Sequence, residues 1–295
     1  MSYKTPSALE QAVKSAASAA PLNTGRAISA FYFHRFLCRV FANGNNSFVL
    51  KGGHAMLART INARMTRDID LLASGTNLDT ALEELRGLIE IDLGDFVTFE
   101  FVGAVPIKTD DKYRSGLAVK FTPMIGSKRM QQISVDLVVD TVPLEETERI
   151  SPADRIDVKG LEVYDYLIYP VENAVADKLC ALIETHDGRS SSRVKDLVDI
   201  IIYATTSPID GTKLQKRVHH EATVRSITLP TTFHLPSDWD APHERQFKKL
   251  CANTGLPEDL RNMNAASSLA GSLVNPAINS TATGLHWDSS MLKWE

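Results

Sequence analysis

The stretch "RMTRDIDLL" (residues 64–72) decides how this chain reads. Asp68 and Asp70 stand two apart among Ile69, Leu71 and Leu72, with Arg64 and Arg67 just upstream. Alternation of this period predicts a strand with Ile69 and Leu71 facing the core and both aspartates on the opposite face. Two neighbouring carboxylates repel each other, and burying them unpaired is costly. Either solvent with Arg64 and Arg67 relieves that repulsion, or bound cations do.

Upstream, "SFVLKGG" (47–53) predicts a short buried strand ending in a glycine turn, and "HAMLART" (54–60) a helix starting there. Gly52 and Gly53 let backbone amides approach a phosphate, and the N-terminus of the next helix favours negative charge. Taken alone, the pair is more often just a tight turn, and Lys51 either contacts phosphate or ends the strand. Further upstream, "RAISAFYFHRFLCRVFA" (26–42) carries the spacing of an amphipathic helix.

Downstream, residues 77–91 read as a helix with Leu78, Leu82, Leu85 and Leu88 recurring every three or four positions. Three β-like segments follow: "FVTFEFV" (96–102), "GLAVKFTPMI" (116–125) and "QISVDLVVD" (132–140). In the last, Ser134 and Asp136 alternate with Ile133, Val135, Leu137 and Val139, which puts Asp136 on a polar strand face. This order of elements predicts an α/β sheet with flanking helices.

From about residue 170 the texture turns helical, through "PVENAVADKLCALIETH" (170–186) and "RVKDLVDIIIYAT" (193–205). Residues 205–238 show weak β character at best. Helices are expected near 241–253 and 257–274. Trp239, Trp287 and Trp294 read as packing anchors.

Three strand-face aspartates, two of them in a D-x-D pair, suit phosphoryl transfer with two metal ions. Mg²⁺ prefers oxygen ligands and keeps substrate phosphates in its shell. Two ions roughly 3.5–4 Å apart can hold the attacking and leaving oxygens of an in-line displacement. An isolated D-x-D is more often simply solvated. A strand–Gly-Gly–helix–strand–DxD unit followed by a later strand aspartate is harder to ascribe to packing needs.

The 295 residues, 43% apolar and 23% charged with a net charge of −4, are those of an ordinary globular protein and exclude a globally basic nucleic-acid coat. Cys38, Cys180 and Cys251 have no paired spacing, which fits buried thiols in a reduced, cytoplasmic protein rather than a zinc site. The opening residues lack a signal-peptide core, and no segment approaches 18 apolar residues, so no membrane span is expected.

"VLKGGHAMLAR" followed by "RMTRDIDLL" resembles the opening motif of nucleotidyltransferases of the DNA polymerase β superfamily, above all the AbiEii (MenT-like) toxins of type IV toxin–antitoxin systems. "ISVDL", "ADKLCALIE", "RVKDLVDI" and the closing "SDWDAPHERQFKKL" and "WDSSMLKW" extend the resemblance over roughly residues 26–295. It implies an α/β (α+β) fold: a polymerase β-like mixed sheet with flanking helices in a nucleotidyltransferase domain (1–163), then a mainly helical C-terminal lobe (164–295).

The resemblance also implies site roles. Gly52 and Gly53 would cradle the triphosphate. Asp68, Asp70 and Asp136 would hold Mg²⁺ in a two-metal site, Asp136 also helping to activate the attacking hydroxyl. Thr66 would face the nucleotide, Lys178 would contact its phosphates and Asp199 would be an essential helical acid. Lys51, Arg64, Arg193 and Asp196 are expected among the nucleotide-binding residues. On the residues alone, Lys178 could instead snorkel, and Asp196 and Asp199 could pair with Arg193 or Lys195 on a helix surface.

For a tRNA acceptor, basic surface is required. Lys108, Lys112, Arg114, Lys120, Lys128 and Arg129 form one run, and Lys213, Lys216, Arg217 and Arg225 another. The family resemblance implies nucleotide addition from NTP to the tRNA 3′ end and a separately encoded antitoxin with a winged-helix domain. A small-molecule or protein hydroxyl is the alternative acceptor, and an NTP-binding regulatory protein the alternative outside catalysis.

Overall fold

The computed structural model describes residues 3–21, 23–75, 77–107, 114–140, 146–185 and 188–295. They form two compact units, one of residues 1–59 and 66–168, the other of residues 60–65 and 169–295.

The first unit opens with helices α1 (Pro6–Ala19) and α2 (Thr24–Val40), followed by β1 (Phe48–Lys51), α3 (Gly52–Arg59), β2 (Asp68–Ala73) and α4 (Leu78–Ile89). Strands β3 (Val97–Pro106), β4 (Arg114–Ile125), β5 (Lys128–Arg129), β6 (Ile133–Asp140), β7 (Glu148–Ile150) and β8 (Tyr166–Ile168) complete it. They make one eight-stranded sheet in the order β3-β4-β6-β2-β1-β8-β7, with β5 paired to β4. The sheet is mixed: β2 runs parallel to β6 and β1 parallel to β8, whereas β1 and β2 are antiparallel. A parallel neighbour needs a long crossover, and the 59 residues from Ala73 to Ile133 supply it with α4 and the β3–β4 hairpin.

Helix α1 has no counterpart among the sequence expectations. Thr5 caps it, Pro6 sits in its first turn and Leu9, Val13 and Ala17 form its buried stripe. Small alanines make that stripe weak as a hydrophobic signal. In α4 the fully buried positions are Ala81, Leu85 and Ile89, one residue round from part of the expected leucine series.

The second unit contains α5 (Val171–Ile183), α6 (Val194–Thr206), β9 (Ile209–Asp210), α7 (Gly211–Val224), α8 (Ala241–Cys251), α9 (Met263–Ile278), β10 (His286–Asp288) and β11 (Lys293–Trp294). Helix α7 corrects the expectation of weak β character over 205–238. Its buried positions are Gly211, Leu214, Arg217, Val218, Glu221 and Ala222. The spacing is helical, but two of these six positions are charged, so the apolar periodicity is broken. Arg217 lies against Tyr169, Asp177 and Glu221, which satisfies the charge inside the core.

The last strands pair antiparallel with β9, and Trp287 is buried with its indole N–H donated to Ala204. Trp294 packs edge-on to it and donates to Ser272, so both act as anchors. All three cysteines are buried and free. No described helix is long and apolar enough to cross a membrane.

Candidate active site

In the first unit, β1 delivers Lys51 opposite Asp70 of β2, and Asp70 lies opposite Asp136 of the parallel strand β6. Facing partners in a ladder point the same way, so Asp70 and Asp136 share one sheet face, with Asp68 two residues along it. Asp68 is exposed, whereas Asp70 and Asp136 are half-buried. Ile69, Leu71 and Leu137 fill the other face at 0% exposure, which pins the register and with it the acids.

The chain passes from β1 into α3 without a linker, at Gly52, whose φ is +61°. A Cβ there would lie 1.9 Å from Asp70 Oδ2. One on Gly53 would lie 2.6 Å from Thr66 Cβ and 2.8 Å from its Oγ1. Glycine is required twice, once by conformation and twice by space, so that Asp70 and Thr66 press directly on the backbone. The first amides of α3 have no intrahelical acceptor, as at any helix start, and are suited to an anion.

The second unit holds a chain of alternating charges. Arg193 Nε donates to Asp196 at 2.6 Å, Lys178 Nζ to Asp196 at 3.4 Å and to Asp199 at 2.7 Å. Arg64 closes the series with a two-pronged contact to Asp199 at 2.7 and 2.9 Å. Asp199 is 0% exposed and Asp196 3%. Burial alone would lower the Lys178 pKa, but Asp199 and Asp196 outweigh it and raise it, so the ammonium stays charged. Burial would raise the Asp196 pKa, and Lys178 and Arg193 reverse that and lower it.

Lys178 is therefore held by two carboxylates and does not snorkel. Asp196 takes the Arg193 partner foreseen for it, yet it is buried rather than on a surface. Arg64 lies 135 residues from Asp199 in sequence, a pairing that no local pattern could signal. Three cations against two carboxylates leave this group of five residues with one net positive charge, favourable for an anionic ligand.

The sequence profile of the family described as nucleotidyl transferase AbiEii toxin, type IV TA system, matches residues 35–265. This chain belongs to that family. AbiEii membership makes it a nucleotidyltransferase toxin of a type IV toxin–antitoxin system. Among solved structures, MenT4, a nucleotidyltransferase toxin from Mycobacterium tuberculosis, is 15% identical with a TM-score of 0.51, covering 99% of this chain and 100% of that one. JHP933 from Helicobacter pylori is also 15% identical, with a TM-score of 0.42 over 85% of this chain and 94% of that one. The MenT4 likeness shows the fold, a nucleotidyltransferase mixed sheet with flanking helices. No curated protein matches the chain.

Members of such a family work with a divalent cation, and the donors here fit a hard one. Asp68, Asp70 and Asp136 offer oxygen ligands on a partly solvated sheet face, where Mg²⁺ could keep waters and take substrate phosphates. Among the described residues, no three His, Cys, Asp or Glu side chains are gathered to hold a metal by themselves.

The basic runs fare unevenly. Lys108, Lys112 and the side chain of Arg114 lie outside the described residues. Lys128 pairs with Glu10 and Arg129 with Glu100 at the surface. Arg217 and Arg225 do not belong to a basic rim: both are buried in ion pairs, Arg225 with Glu184 and Glu221. Lys120, Lys213 and Lys216 are exposed.

Proposed function

We propose that this AbiEii-family toxin transfers a nucleotidyl group from an NTP to the 3′ acceptor end of tRNA in the cytoplasm, and so blocks translation. The close packing of Asp70 against Gly52, with Asp136 in register beside Asp70, carries this reading. That packing supports acids acting next to a glycine turn that takes the phosphates.

Gly52 and Gly53 receive the triphosphate on backbone amides, with Lys51 and Thr66 beside it. Asp68, Asp70 and Asp136 would hold Mg²⁺, which would neutralise phosphate charge and acidify the attacking hydroxyl. The acceptor 3′ oxygen forms a bond to the α-phosphorus while the bond to the bridging oxygen breaks and pyrophosphate leaves. Asp136 takes the hydroxyl proton. Lys178, kept charged by Asp196 and Asp199, contacts nucleotide phosphates, with Arg64 and Arg193 fixing those acids. A separately encoded winged-helix antitoxin is the expected counterpart.

Incubating the protein with Mg²⁺, total tRNA and each α-labelled NTP tests the reading. Label should enter tRNA and be lost with Asp70→Asn. Label entering protein or an aminoglycoside but never RNA would replace tRNA with the alternative acceptors.

A further inference from the structure

The stretch "SDWDAPHERQFKKL" (237–250) takes no part in the chemistry above, and Trp239 within it has no apolar core to fill. Its indole Nε1 donates instead to the Ser191 carbonyl at 2.6 Å. Ser191 is 7% exposed; its hydroxyl donates to the Ala181 carbonyl of α5 at 2.7 Å and accepts from the Arg193 amide at 3.3 Å. The segment entering α6 is thus gripped on both sides just before Arg193, which holds Asp196. The Trp239 ring is stacked parallel to His243, whose Nδ1 lies 2.8 Å from Asp240 Oδ1 at the start of α8.

Beyond the other end of α8, the Gly255 amide donates to the Asn62 carbonyl at 2.9 Å. A Cβ on Gly255 would lie 2.3 Å from Asn62 Cγ and 2.6 Å from its Cβ, so only glycine admits this approach. Ala63, the next residue, is 0% exposed, and Arg64 after it clasps Asp199. Arg193 and Arg64 are the two terminal cations of the series Arg193–Asp196–Lys178–Asp199–Arg64, and each follows closely on a backbone carbonyl held from α8. The 11 residues of α8 make a rigid rod roughly 16 Å long, moored by Phe247 and Cys251 at 0% exposure.

We propose that α8 is a brace for nucleotide binding, with Trp239 and Gly255 as positioning residues that hold Arg193 and Arg64 at the two ends of the charge series. A shift of either arginine alters the acids that hold Lys178, so the brace sets the affinity for NTP. This inference rests on the reading that Lys178 contacts nucleotide phosphates.

The test is isothermal calorimetry on the full chain with each of ATP, CTP, GTP and UTP in Mg²⁺, without an acceptor. Trp239→Phe keeps a ring beside His243 and removes only the indole donor. It should weaken NTP binding about threefold to tenfold, the scale of one hydrogen bond. Arg193→Gln should weaken it at least about tenfold, as for a lost charged partner. Because Trp239 acts through Arg193, the double variant should bind no more weakly than Arg193→Gln alone, whereas a merely structural role would make the two losses add. Gly255→Ala should also weaken binding, and Asn62→Gly in the same molecule, which removes the side chain it strikes, should restore it. Undiminished affinity in Trp239→Phe, additive losses in the double variant, or no recovery with Asn62→Gly would each overturn the brace and leave the nucleotide role of the charge series standing. Full affinity in Arg193→Gln, or no saturable NTP binding by the parent, would overturn that role and the brace with it.

Discussion

The carboxylate of Asp70 occupies the space that a side chain on Gly52 would need, since a Cβ there would stand 1.9 Å from Oδ2. The positive φ of Gly52 adds a conformational reason for glycine. Gly52→Ala should therefore displace the acid as well as strain the turn, by about 1–2 kcal/mol for the left-handed backbone. Transfer should fall by roughly a hundredfold or more, the scale of losing one preorganised group at a reacting phosphate. Single-turnover rates beside a denaturant melt would show whether activity falls far more than stability; wild-type rates would mean that the close approach has no role in transfer.

Asp68→Asn and Asp70→Asn should each abolish transfer while the protein stays folded. Both remove a negative charge from a partly solvated strand face, and the core face opposite is untouched. In metal-free buffer the variants should be as stable as the parent or slightly more so, because like-charge repulsion is relieved. Near-normal turnover of either variant at saturating Mg²⁺ would contradict their assignment as metal ligands.

Asp199 is a different kind of acid. It is fully buried and holds Lys178 and Arg64 together, so its removal leaves two cations facing each other. Asp199→Ala should cost about 3–5 kcal/mol, as for other broken buried pairs. Lys178→Met should lower turnover at least about a hundredfold with a smaller stability change, because it keeps the stem and removes only the charge. Chemical denaturation separates the two variants, and a Lys178→Met enzyme at full activity would make the lysine purely structural.

Stability should fall as the solution is acidified from pH 6.5 towards 4. Burial lowers the His54 pKa from 6.5 to about 4; Asp154 raises it in part, and His34 lowers it further. The folded chain therefore keeps His54 neutral where the unfolded chain takes up a proton. The stability is fully present above pH 6.5 and lost progressively down to about 4, on the order of 3 kcal/mol. Asp95 and Asp154, whose pKa values are lowered from 3.8, act below that window. Urea midpoints across the range should slope for the parent and flatten for His54→Leu; equal slopes would reject His54 as the source.

A tRNA acceptor predicts that affinity falls steeply with salt, with a log–log slope of about −0.7 per neutralised phosphate in single-stranded regions. Lys216→Glu, at an exposed position, should raise the KM for tRNA and leave the KM for NTP unchanged. Arg217→Glu should instead destabilise the second unit, because it sets an acid against Asp177 and Glu221. Filter binding over a salt series, paired with melts of both variants, distinguishes a rim charge from a core charge.

The sequence by itself determined the strands around Asp68, Asp70 and Asp136 and the glycine turn before them. Each of these is a local pattern: alternation fixes which face a strand residue takes, and paired glycines mark a backbone that must be approached closely. It also determined the family. What needed the tertiary structure was everything that depends on partners remote in the chain: the parallel register that sets Asp70 opposite Asp136, and the capture of Asp199 by Arg64. Helix α7 was hidden for the same reason. Arg217 and Glu221 look like solvent-facing residues until Tyr169 and Asp177 are brought against them, and a charge becomes a core residue only when folding supplies its counter-charge.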